Sequence, residues 1–226
     1  MERAVAYSVT SKVSDPAARL AIAASAVAFL SLVSLHVLSP EFSPAWRMIS
    51  EYANGRFNWV LSLMFAAYGL ASLALAIATR AQLTTRRGRL GLSLLVLGGI
   101  GQAGAAQFDL NQVALHEVAG FLGIVCLPLA ALMIAPLLGQ SRLLVVTSHL
   151  TWISVVVWIG TMVLMMATFV QVLGALPDSP PEELPSGVIA LVGWANRLVL
   201  ISAWVWVSTV ACMRSGGPID RSRQPR

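Results

Sequence analysis

The chain has 226 residues, of which 57% are hydrophobic and only 11% are charged. Its mean hydropathy of +0.77 means more apolar surface than a soluble core of this length hides, which excludes an ordinary soluble domain. The net charge of +5 is gathered into short basic segments between apolar runs instead of lining one groove-sized face, so membrane lipids with anionic headgroups are the expected partners and nucleic acid is not.

Arg3, Lys12 and Arg19 precede the first apolar run, as in a signal peptide, but no small-residue cleavage site follows Val37 to Pro40 and further apolar runs come after. The run is therefore read as a retained first helix, Ala17 to Leu38. Between Ser39 and Asn58, Ser43 can begin a short interfacial helix with Pro44 at its first position, an apolar stripe of Trp46, Ile49 and Ala53, and an end at Asn54-Gly55. Trp46, Tyr52 and Trp59 suit the headgroup level as members of an aromatic belt. The second helix is expected over Asn58 to Thr79, the third over Leu90 to Gln107, and the fourth over Val113 to Leu138.

The fifth apolar run begins near Leu143 and continues to about Leu176. At ~1.5 Å per residue it exceeds a ~30 Å hydrocarbon core, so it should tilt, bend near Gly160, or project from the membrane. The stretch PDSPPEELP, Pro177 to Pro185, opposes both helix and burial and predicts an exposed loop before a sixth helix over Gly187 to Met213. Glycines crowd the third helix, and the Gly99 to Ala103 and Gly101 to Ala105 pairs suit close packing within the monomer. Pro128 and Pro136 each remove a backbone donor from the fourth helix and make a bend plausible. The fold class is all-α: one polytopic six-helix transmembrane domain over residues 1–226, with short terminal tails.

Arg80, Arg86, Arg87 and Arg89 lie between helices two and three, Arg142 between four and five, and Arg214, Arg221, Arg223 and Arg226 after helix six. The bias of basic residues toward the cytoplasm puts these segments and both termini inside, and the loops bearing Asp109, Asp178, Glu182 and Glu183 outside. The expected location is a bacterial plasma membrane. Neither oligomeric state nor any protein partner is specified.

The polar groups at the outer ends are His36, Glu51, Asp109, His116, Glu117 and Arg197. Arg197 lies about 17 positions before Arg214, ~25 Å along a helix, so all six fall at one depth. A guanidinium in the hydrocarbon region costs at least ~2.5 kcal/mol and needs a partner. Glu117 is the first expectation and Glu51 the second, as a structural clamp; binding of an anionic headgroup is the other reading of Arg197. Asp109, His116 and Glu117, with His36, offer metal-ligating atoms, but without HExxH or CxxC spacing no metal site is assigned and no cofactor is specified. His36 and His116 are the one pair that could face each other as haem ligands, while His149 lies toward the cytoplasmic side. Cys126 and Cys212 suggest no disulfide framework.

The run Ser50-Glu51-Tyr52-Ala53-x-Gly55 leading to Trp59, then Asp109 followed by His116 and Gly120, then Gly193-x-x-Asn196-Arg197, resembles the bacterial membrane family called domain of unknown function 998. The chain departs from that pattern at Asn58, at Phe108 before Asp109, and at Asn196. The resemblance implies a multi-helix membrane fold, singles out Glu51, Tyr52, Asp109, His116 and Arg197, and supplies no activity. The leading expectation is a membrane protein whose outer polar group stabilises the helices and contacts lipid headgroups. The alternatives are an enzyme acting on a lipid, with His116 or Asp109 as acid/base and Arg197 holding the headgroup, and a small-solute or proton transporter.

Overall fold

The computed structural model describes the backbone of residues 2–108, 112–177 and 181–215, with side chains from residue 16 onward except that of Val113. Six helices form: α1 Glu2–Leu38, α2 Asn58–Thr79, α3 Arg86–Gln107, α4 Val113–Leu138, α5 Arg142–Leu173 and α6 Val192–Ser215. Each contains a segment long and apolar enough to cross a membrane, and no strand occurs among the described residues. Side chains such as Leu30, Val37, Phe121, Val156 and Val163 point outward, a surface that water would not tolerate and lipid does. The chain is an integral membrane protein.

Successive helices run antiparallel. On α3, Gly91 faces Ile134, Gly98 faces Leu127 and Gly101 faces Ala119 of α4, while Gly99 faces Gly69 and Leu73 of α2. A Cβ at Gly101 would lie 2.6 Å from the Ala119 carbonyl oxygen, so glycine is what lets the α3 and α4 backbones meet. These glycines are used inside the monomer, on two faces of α3.

Caps and carbonyl partners explain several helix limits. Thr85 accepts from Gly88 N at 3.1 Å and Ser141 from Leu144 N at 3.2 Å, opening α3 and α5. α3 therefore starts at Arg86, one turn before the apolar pattern at Leu90, and its arginines occupy the first turn. Pro136 cannot donate to the Leu132 carbonyl within α4; Arg87 Nη2 donates to it instead, at 2.9 Å. α5 stays helical through Gly160 and ends at Gly174 with φ 78°, so no break forms there, and its 32 residues are accommodated as one continuous rod. The sixth helix begins later than expected, at Val192, because Gly187 adopts φ 94° and residues 187–191 form no helix. α1 instead begins earlier and runs through Pro16.

α5 and α6 are joined by a polar seam in mid-bundle. Trp206 Nε1 donates to Ser148 Oγ at 3.0 Å, and Ser154 Oγ pairs with Ser202 Oγ at 2.9 Å. Thr147, Thr151 and Ser154 also bond to carbonyls of their own helix. Hydroxyls with partners of this kind act as glue between helices.

The short helix between α1 and α2 is present as a 3-10 helix, Ile49–Asn54, not as an α-helix starting at Ser43. Ser43 to Arg47 form a turn, with Arg47 N donating to the Ser43 carbonyl at 3.0 Å. Here the helix will be called the cap helix and its side of the bundle the capped end. Arg80, Arg86, Arg87, Arg89, Arg142 and Arg214 gather at the opposite end. Asp109 and Asp178, like Arg221, Arg223 and Arg226, lie outside the described residues; Glu182 and Glu183 are exposed.

Candidate functional site at the capped end

The cap helix is held down by α6. Gly193 N donates to the Ala45 carbonyl at 3.0 Å, and Asn196 Oδ1 accepts from Ile49 N at 3.0 Å. Gly193 carries no side chain because a Cβ would run into the carbonyl oxygens of Pro44 and Arg47. On the other partner, Gly55 leaves room for the Phe42 ring, 2.9 Å from where its Cβ would be. Gly193 thus serves the close approach between the loop and α6, and Gly55 the packing within the loop.

Arg197 lies beneath this junction, 3% exposed. Its Nε donates to His36 Nε2 at 2.7 Å, its Nη1 to the carbonyls of Arg47 and Gly193, both at 2.9 Å, and its Nη2 to Tyr52 Oη at 3.1 Å. The chemistry fixes the histidine tautomer. A guanidinium only donates, so Nε2 of His36 must be the acceptor and its proton sits on Nδ1, which donates to the Leu32 carbonyl at 2.7 Å. Trp194 stacks on the His36 ring, with centroids 6.4 Å apart. The guanidinium also lies 5.7 Å from the Tyr52 ring centroid and 5.9 Å from that of Trp194, giving it two π faces. His36 belongs to the last turn of α1, whose carbonyl end is the negative pole of that helix.

The expected pairing of Arg197 with an acid is therefore corrected. Glu117 is exposed on α4. Glu51 accepts from Arg47 Nη1 at 2.7 Å and from Met48 N at 2.7 Å, which engages both its oxygens within its own turn. The Arg47–Glu51 contact is the ion pair found among the described residues. Neutral acceptors and aromatic faces surround the buried charge instead, and four hydrogen bonds to them replace much of its hydration. Four of its five N–H groups are engaged in this way, and the side chain is buried beneath the cap segment. Tyr52 is likewise no interfacial aromatic: it is 1% exposed and holds Arg197, whereas Trp59 is exposed.

A cavity of about 410 Å³ opens on the other side of the cap helix. Its walls come from the cap helix and α2 through α6; α4 and α5 pack on each other only loosely, and the lining residues Phe121 of α4 and Ile159 of α5 are exposed, so the cavity reaches the surface between them. Phe65, Phe121, Ile124, Trp158 and Met162 are among its apolar lining residues; Ser50, Gln102, His116, Glu117 and Asn196 supply the polar positions. A largely apolar space of this size with a few grouped polar residues matches the general form of a small-molecule site. His116 Nδ1 pairs with the Phe108 carbonyl at 2.7 Å, which leaves Nε2 as the acceptor. Gln102 is buried with its Oε1 unpartnered among the described residues, as is Trp158 Nε1.

The sequence-derived group thus divides in two. His36, Tyr52 and Arg197 form the clamp, with Glu51 beside it; His116 and Glu117 line the cavity; Asp109 lies outside the described residues. His36 gives its Nε2 to Arg197 and so has no free nitrogen for a haem iron. No three of His, Cys, Asp and Glu come together among the described residues. His149 is exposed near the arginine end, bonded to the Val145 carbonyl.

Arg47, Gln102, Trp158 and Trp194 were not singled out for this site by their residue types. Only Arg47 had a local signal, its i, i+4 spacing to Glu51. Gly193 and Asn196 stood in the quoted motif without a role, and the structure gives them one.

The profile of a family described as Protein of unknown function (DUF998) matches residues 22–213. No curated protein and no solved structure matches the chain.

Proposed function

We propose, for a chain that belongs to the DUF998 family of proteins of unknown function, that it binds the apolar part of a lipid or similar amphiphile in the cavity between α4 and α5. The observation that carries this reading is the cavity itself: about 410 Å³, largely apolar in its walls, polar beside the cap helix, and reaching the apolar surface between α4 and α5 at Phe121 and Ile159. The volume suits one chain or one compact amphiphile, not a whole two-chain phospholipid. Binding, with no chemical step, is the activity assigned. The clamp around Arg197 keeps the cap helix in place and so fixes one wall of the site.

The capped end is, on this reading, the outer side of a bacterial plasma membrane, with both termini in the cytoplasm. Support comes from the arginines gathered at the opposite end, in line with the bias of basic residues toward the cytoplasm. A reporter inserted at Glu182 should read outside and one at Arg86 inside; the reverse result would overturn this orientation.

Gly120 provides the test of binding. It lines the cavity, and a Cβ placed there meets nothing within 4 Å. Gly120→Leu should therefore direct its side chain into this space and remove most of the lipid that co-purifies with the protein in mild detergent, measured by mass spectrometry. Gly160→Leu is the control, since its Cβ also meets nothing and Gly160 is exposed on α5 without itself lining the cavity, although its neighbour Ile159 does. Equal lipid content in wild type and both variants would overturn the proposal.

A further inference from the structure

We infer that the head of the molecule bound in this cavity is an amine or other cationic group, not a phosphate or carboxylate. The inference rests on the binding reading above and adds the charge of the ligand. Among the described lining residues none is lysine or arginine, and the ionisable ones are His116 and Glu117. Of the three arginines at the capped end, Arg56 is exposed over the Phe57 ring and does not line the cavity, and the other two are engaged in the clamp and the cap segment. Arg47 donates to Glu51 and to the Pro181 carbonyl at 2.7 Å, and Arg197 is enclosed by His36, Tyr52 and two carbonyls. An anionic head would meet the Glu117 carboxylate with no lysine or arginine in the lining to offset it.

The acceptors, by contrast, are well supplied. Glu117, Gly120 and Ile124 fall on one face of α4 at helical spacing, so the carboxylate stands one to two turns from the middle of the apolar wall. Pro128 has no N–H for the Ile124 carbonyl, which leaves that carbonyl without its helical donor. Gln102 adds an amide oxygen that is buried and unpartnered among the described residues. An ammonium has three donors and no acceptor, so it complements this set where a phosphate does not. Phe65, Phe121 and Trp158 offer π faces to the same cation.

Three amphiphiles with one tail separate the head from the cavity: dodecylamine, dodecanol and dodecyl phosphate, titrated into the purified full chain in a neutral maltoside detergent and followed by tryptophan fluorescence. The wild type should bind the amine about tenfold more tightly than the alcohol, with the phosphate weakest. Glu117→Gln should bring the amine to the level of the alcohol and leave the alcohol unchanged. Glu117 is exposed, so this variant is expected to fold. Phosphate binding as tight as amine binding in the wild type, or an amine preference that persists in Glu117→Gln, would overturn the inference. Gly120→Leu distinguishes the two levels: if it removes binding of alcohol and amine that bind equally, the cavity stands and the cationic head fails. If none of the three binds the wild type, or Gly120→Leu weakens none of them, the cavity reading fails with it.

Discussion

Arg197→Lys is expected to destabilise the detergent-purified protein by more than about 3 kcal/mol, read as a large fall in thermal unfolding temperature. Lysine keeps the charge, yet its single nitrogen cannot span the acceptors that the planar guanidinium reaches: His36 Nε2, Tyr52 Oη and the carbonyls of Arg47 and Gly193. Those groups come from α1, the cap segment and α6, so their loss loosens three parts of the fold at once. A double-mutant cycle identifies the partner. Arg197→Met and His36→Phe should be non-additive, because each alone leaves the other group buried without its hydrogen bond. Arg197→Met and Glu117→Gln should be additive. Coupling to Glu117 in place of His36 would mean that an acid, not the neutral cage, carries the arginine.

Gly193→Ala is the smallest change with a comparable effect, about 2 to 3 kcal/mol. Its methyl group would occupy the position of the Pro44 and Arg47 carbonyl oxygens and come within 2.9 Å of Trp46 N. All three neighbours are backbone atoms and cannot rotate away as a side chain would. The cap turn must therefore lift, taking with it the Gly193 to Ala45 and Ile49 to Asn196 hydrogen bonds. Trypsin should then cut after Arg47 faster than in wild type, alongside the lower unfolding temperature. Gly104→Ala serves as the comparison, since its Cβ meets only side-chain atoms, the Ala119 methyl at 3.2 Å and the Phe108 ring at 3.7 Å. Equal cleavage and stability in both variants would show that the loop does not need Gly193.

Much of this fold was legible because lipid imposes a strict rule: apolar runs of spanning length must satisfy their backbone internally, and six such runs are plain in the sequence. The limits of α3 and α6 were less legible, since Thr85 caps a turn of arginines that hydropathy reads as loop, and Gly187 delays a helix that hydropathy starts early. Arg197 stood out because its charge is costly in an apolar helix. Its partners did not, because charge counting looks for carboxylates, and the structure answers with a histidine, a tyrosine and two main-chain carbonyls that no side-chain pattern displays. The local pair of Arg47 and Glu51, four residues apart, already engages the nearest acid. The cavity was invisible for another reason: it is a gap between α4 and α5, and gaps depend on how helices tilt, not on which residues they contain.

That gap carries the proposed function, and photo-crosslinking tests its occupancy most directly. A dodecylamine bearing a diazirine on its tail, activated in membranes containing the full-length protein and mapped by mass spectrometry, should label Ile124, Trp158 and Met162 on the cavity wall. Gly120→Leu should lose those labels while keeping diffuse labelling of lipid-facing residues such as Leu30 and Val33, which are exposed on α1. Labels spread evenly over the exposed faces of all six helices, unchanged by Gly120→Leu, would mean that the cavity holds no amphiphile.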